Sequence, residues 1–99
     1  MTESELMDLI LERPGLYIGH ESVIKAEAFI RGFAFANPEG NIDPLYSGFT
    51  RWLIDRRGLG QYSWSSILTM MGGSEASAFQ LAKELWNEYK IIQEKEINS

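Results

Sequence analysis

The densest group of chemically capable side chains is ERPGLYIGHES, Glu12 to Ser22, where the chain's one histidine, His20, stands directly before Glu21 and Ser22. Imidazole, carboxylate and hydroxyl are the groups of an acid–base or nucleophilic site, but such groups must converge through the fold at hydrogen-bonding distance, which adjacency along the chain does not provide. A zinc-binding HExxH helix needs a second histidine one turn on, and that position is Ile24. The absence of cysteine removes thiol nucleophiles and thiolate metal sites, so His20 reads as a loop residue or as the entry to a helix. An enzyme reading would rest on His20 with nearby acids and Arg13 or Arg31, as a minimal hydrolase.

Other candidates carry less. Glu84 and Glu88 stand one helical turn apart and could pair as carboxylates, although a solvated helix face is the stronger explanation. Gly58-Leu59-Gly60 lacks the third glycine and the preceding strand of a dinucleotide loop, and Gly72-Gly73 reads as an interhelix turn. No catalytic, cofactor-binding or metal-binding residue is assigned, and no cofactor is expected.

The elements that must position these residues are helical. Thr2 and Glu5 have capping-box spacing, and Leu6, Leu9 and Ile10 follow at i, i+3 and i+4, predicting an amphipathic helix that stops at Pro14-Gly15. Ser22 caps SVIKAEAFIRGFAFAN, so apolar on nearly every face that it is expected at the centre of the core. Asn37-Pro38 breaks that helix and PEGNID is a polar loop. Asp43-Pro44 reads as N-cap and first helical position of a third helix, with Leu45, Phe49, Trp52 and Leu53 inward and Gly58 closing it. Ser63 opens a short helix with Trp64, Ile67, Leu68 and Met71. Ser74 opens the longest, with Phe79, Ala82, Leu85, Trp86, Tyr89 and Ile92 at helical spacing. No period-2 strand of convincing length appears, and the expectation is an all-α, single-domain bundle of about five helices spanning residues 1–99.

Length and composition agree with one domain: 99 residues, 44% apolar and 12% aromatic, can build a core without disulfides. The start, MTESELMDLI, carries acids where a signal peptide needs a basic flank, and no apolar run approaches the roughly 20 residues that span a bilayer. With the absence of cysteine, this points to the cytoplasm. Fourteen acids against nine bases leave a net charge of −5, which opposes binding to nucleic acid or anionic lipid and favours a basic partner, while also serving solubility.

RPGLYIG is similar to RPGMYIG near the N-terminus of the ATP-binding domain of type II topoisomerase B-subunits. The helix motif and glycine-rich nucleotide loops of those ATPases are missing here, so the shared heptapeptide reads as a folding device. Proline ends one helix, Leu16, Tyr17 and Ile18 pack the crossing segment, and Gly19 turns the chain into the next helix. A second resemblance covers most of the chain. The order RPGLYIG, FIRGFAFA, FTRWLIDRRG and WSSILTMMGGSEASAFQLAKELWNEY resembles small helical immunity proteins of bacterial contact-dependent growth-inhibition and polymorphic toxin systems. That resemblance implies an antitoxin-like protein that binds a cognate toxin domain, for example a nuclease such as an RNase, and occludes its active site. Many such toxins have basic substrate grooves, into which an acidic domain is steered electrostatically. The expected toxin-binding surface combines acids and aromatics outside the helical cores: Glu39, Asp43 and Tyr46 around the first loop, with Asp55, Gln61 and Tyr62 near the second. The alternative is a small regulatory or adaptor domain without a toxin partner. Sequence alone sets no oligomeric state.

Overall fold

Every helix but the one-turn segment that starts at Pro14 begins where a short polar side chain satisfies a backbone N–H that the helix leaves open. The computed structural model describes residues 1–37, 43–57 and 63–97. They form α1 (Glu3–Glu12), α2 (Pro14–Tyr17), α3 (Val23–Ala36), α4 (Pro44–Arg57), α5 (Trp64–Gly72) and α6 (Glu75–Ile97), with no strand among the described residues. The chain is all-α.

The capping box at α1 is complete: the Glu5 N–H donates to Thr2 Oγ1 at 3.1 Å and the Thr2 N–H donates back to Glu5 Oε1 at 2.9 Å. Arg13 leaves helical geometry at φ −134°, ψ 67°, because the residue before a proline is excluded from the α region. Pro14 then starts rather than merely stops: its fixed φ suits a first helical position, and α2 is a single turn closed by Ile18 N–H on the Pro14 carbonyl at 2.8 Å. That turn is the helical segment beyond the five expected. Gly19 at φ 88° turns the chain out of it. Tyr17 and Ile18 pack against the core as expected, whereas Leu16 points outward, 69% exposed, since a one-turn helix can bury only one side.

The core is drawn from α1, α3, α4, α5 and α6, and its most extensive packing is between α5 and α6. Phe49 stands at its centre, fully buried, with its ring centroid 5.1 Å from Trp86, 5.6 Å from Tyr89, 6.0 Å from Trp64 and 6.1 Å from Trp52. Edge-on, tilted and stacked ring pairs at these distances add to the burial energy. Two close approaches let the helices meet. A Cβ on Gly48 would lie 2.3 Å from the hydroxyl of Tyr89, and one on Gly72 would lie 2.6 Å from the backbone nitrogen of Ala78. Gly73 supplies the left-handed residue, φ 80°, that caps α5 by its N–H on the Thr69 carbonyl.

The helix opened by Ser22, α3, departs from the expectation that it stands at the centre of the core. Only Val23, Ala26 and Ile30 of α3 are buried, while Ile24, Phe29 and Phe35 face solvent, Phe35 at 88% exposure. A helix with neighbours on one side covers a stripe of little more than about 100°, and α3 carries apolar residues well beyond that arc. It packs one stripe on α1, α5 and α6 and leaves its other side open, so it is not enclosed by the core as expected.

Candidate protein-binding surface

Asp43 acts between two helix starts. One carboxylate oxygen accepts the Tyr46 N–H of α4 at 3.3 Å and the other accepts the Ser4 N–H in the first turn of α1 at 2.8 Å. Burial alone would raise this carboxyl, but the hydrogen bonds from Ser4 and then from Tyr46 outweigh it, and its pKa is lowered. Tyr46 follows one turn into α4. Its hydroxyl accepts the Trp64 indole N–H at 2.8 Å, and its pKa is pushed up to about 12, chiefly by burial. Asp55 is exposed near the other end of α4, roughly 18 Å away at 1.5 Å per residue. The structure therefore brings Asp43 and Tyr46 together and holds Asp55 apart from them. Glu39, Gln61 and Tyr62 lie outside the described residues.

Several other charges are engaged in internal contacts. Asp8 Oδ1 accepts both the Trp86 indole N–H at 2.7 Å and the Lys90 ammonium at 2.6 Å, tying α1 to α6. Glu88 pairs with Arg56 of α4, whose guanidinium also lies 5.2 Å from the Trp52 ring centroid, so this member of the Glu84/Glu88 pair holds two helices together. His20 is exposed, with Nε2 3.5 Å from Glu75 and Nδ1 3.4 Å from the Lys25 ammonium. The adjacent Ser22 hydroxyl is buried and accepts the Lys25 N–H as the cap of α3, so His20 and Ser22 serve separate contacts. Among the described residues, no group of three or more His, Cys, Asp or Glu side chains could hold a metal ion. Nor is any helix among them long and apolar enough to cross a membrane.

The feature that sequence reasoning did not single out is Glu27. It sits on the flank of α3 facing α5, where Ser65 Oγ donates to Glu27 Oε1, and the Arg31 guanidinium approaches the other oxygen at 3.6 Å. The Glu27 side chain is only 13% exposed, while that of Arg31 is 74% exposed. A hollow opens on either side of this pair. One, of about 210 Å³, is bounded by Glu3, Glu27, Arg31, Tyr46, Thr50 and Trp64. The other, of about 350 Å³, is bounded by Ile24, Glu27, Ala28, Arg31, Ser63 and Ser66. The Glu3 carboxyl, at the edge of the first hollow, is raised by burial first and by Asp43 second. Beside both hollows runs the exposed apolar face of α3 with Ile24, Ala28 and Phe35. One signal for this surface was present in the sequence: α3 carries more apolar residues than a one-sided helix can bury.

An apolar patch rimmed by polar groups and hollows can bind another protein without performing chemistry on it. Compared with protein-family models, with curated proteins and with solved structures, the chain matches none.

Proposed function

We propose that this chain is an immunity protein, which binds a cognate basic toxin domain in the cytoplasm of the producing bacterium and inhibits it by occluding its active site. The observation that carries the reading is the outer face of α3, where Phe35 at 88% exposure stands on the same side of the helix as Ile24 and Ala28, on a small domain of net charge −5. Large exposed aromatics are the residues that anchor interfaces, and their exposure gives the folded monomer no benefit. The net negative charge of the chain supplies long-range attraction to a basic partner, which raises the association rate more than it holds the complex together. The resemblance in motif order to immunity proteins points the same way. No cofactor enters this mechanism.

The test is growth of cells expressing the toxin encoded beside this gene, with and without this chain. Rescue is expected, together with a complex between the purified proteins. Phe35→Asp is expected to weaken that complex by about 2 kcal/mol, roughly thirtyfold in Kd, with helical content unchanged. If the wild-type chain neither binds nor protects, the immunity reading fails and a regulatory or adaptor role takes its place.

A further inference from the structure

Glu27 is an unusual carboxylate for a protein surface. It is largely withdrawn from water, it receives one hydrogen bond from Ser65, and its counter-charge is a guanidinium that remains mostly in solvent at 3.6 Å. Taking a carboxylate out of water is unfavourable unless a cation compensates closely, and a pair between residues four apart on a helix compensates only weakly. Glu3 borders the same hollow, and its carboxyl is itself raised by burial and by Asp43. Two carboxylates thus border a space whose own cation, Arg31, is mostly exposed and meets Glu27 only at 3.6 Å.

From this geometry we infer that the hollow bounded by Glu3, Glu27, Tyr46 and Thr50 receives an arginine side chain of the partner, whose guanidinium takes the place of Arg31 against Glu27. The inference rests on the reading of this chain as a binder of a basic protein and names the anchor of that interface. Arginine fits better than lysine because the acceptors are spread around the hollow. The Glu3 carboxylate of α1, the Glu27 carboxylate of α3 and the Tyr46 and Thr50 hydroxyls of α4 border it from three helices, which suits a planar group with five donors better than a compact ammonium. The Tyr46 hydroxyl accepts from Trp64 and keeps a second lone pair for the ligand. Apolar residues flanking that arginine on the partner would lie on Ile24, Ala28 and Phe35, joining the charged anchor to the apolar face.

The chain's tryptophans provide the readout. Trp64 borders the hollow and donates its indole N–H to Tyr46, Trp86 donates its own to Asp8, and Trp52 packs under Arg56. In a proton–nitrogen correlation spectrum of the full chain, titration with a capped arginine amide is expected to move the Trp64 indole signal saturably while those of Trp52 and Trp86 stay in place. A capped lysine amide should act several-fold more weakly, and inorganic phosphate should have no saturable effect. Glu27→Gln keeps an acceptor for Ser65 and is expected to weaken the arginine response about tenfold, in line with loss of a charge-assisted contact. Glu3→Gln, which leaves the Thr2–Glu5 cap intact, should weaken it less. A Trp64 signal unmoved by the arginine probe, or moved equally in Glu27→Gln and Glu3→Gln, overturns the inference, as does a response to phosphate in place of arginine. Protection against the neighbouring toxin is scored separately. Protection without the Trp64 response discards the arginine anchor and keeps the immunity function, while the response without protection does the reverse.

Discussion

Phe49 and Phe35 are the same residue in two helices of equal length, and the fold treats them in opposite ways. Phe49 is fully buried and touches four aromatic rings, while Phe35 is 88% exposed at the end of α3. The surroundings explain the contrast. α4 meets α5 and α6 along a face where Gly48 removes a side chain and admits Tyr89, whereas the outer side of α3 has no helix over it among the described residues. Apolar character therefore marks two different things in this chain: material for the core on α4, and material for a partner on α3. The acids divide similarly, with Asp8, Asp43 and Glu88 engaged in joining helices, and Glu3 and Glu27 placed beside open space.

The sharpest test of this contrast is truncation of the two phenylalanines. Phe49→Ala is expected to destabilise the fold by about 3–5 kcal/mol in chemical denaturation, since it removes the ring at the centre of the aromatic cluster and leaves a cavity. Phe35→Ala should fall at the other end of the scale, within about 0.5 kcal/mol, because an exposed side chain leaves no cavity behind. A loss at Phe35 comparable with that at Phe49 would mean that the α3 face is covered within the monomer.

Between these extremes lies Gly48. Alanine favours a helix interior over glycine, yet its Cβ would meet the hydroxyl of the buried Tyr89, so Gly48→Ala should cost about 1–3 kcal/mol. Tyr89→Phe removes the clashing oxygen, and the double variant should recover most of that loss. If the two changes simply add, helix crossing at Gly48 is not what excludes a side chain.

Asp43 comes next. Asp43→Ala removes a carboxylate that serves two helix starts and is expected to cost about 1–2 kcal/mol, near the upper range for a single cap. The pH dependence has a definite sign. Because the folded-state carboxyl is lowered, its stabilisation is present above the unfolded value near 3.8 and is lost as pH falls through the lower folded value. Asp43→Asn can still cap α4 but should lose this acid-side dependence; Glu3, whose carboxyl is raised, contributes in the opposite direction. An acid unfolding profile identical in the wild type and Asp43→Asn would show that the carboxylate charge does not link the two helices.

Much of the architecture was legible in the sequence. Thr2 with Glu5, Ser22, Asp43, Ser63 and Ser74 were each readable as helix openings, and each accepts the backbone N–H expected of it. The candidate surface was legible only in part. Tyr46 borders the Glu27 hollow and Asp43 lies one turn before it, but Asp43 is also engaged in capping α1, and Asp55 stands at the far end of its helix. Glu27 gave no signal, because a lone glutamate within a helix normally reads as a solvated charge.

The residues of this chain by themselves determined where helices start and which faces could be buried, because caps, prolines and apolar spacing act within about one turn of the backbone. Tertiary structure decided which of those faces were covered. The hydrogen bonds from Ser4 to Asp43, Ser65 to Glu27 and Trp86 to Asp8 join residues 39, 38 and 78 positions apart. Local spacing cannot specify such pairings, since they depend on how the helices cross. Those crossings placed Phe49 among four rings and left Phe35 facing water, because side-chain shape at the contacts between helices, above all at Gly48 and Gly72, sets how closely they approach.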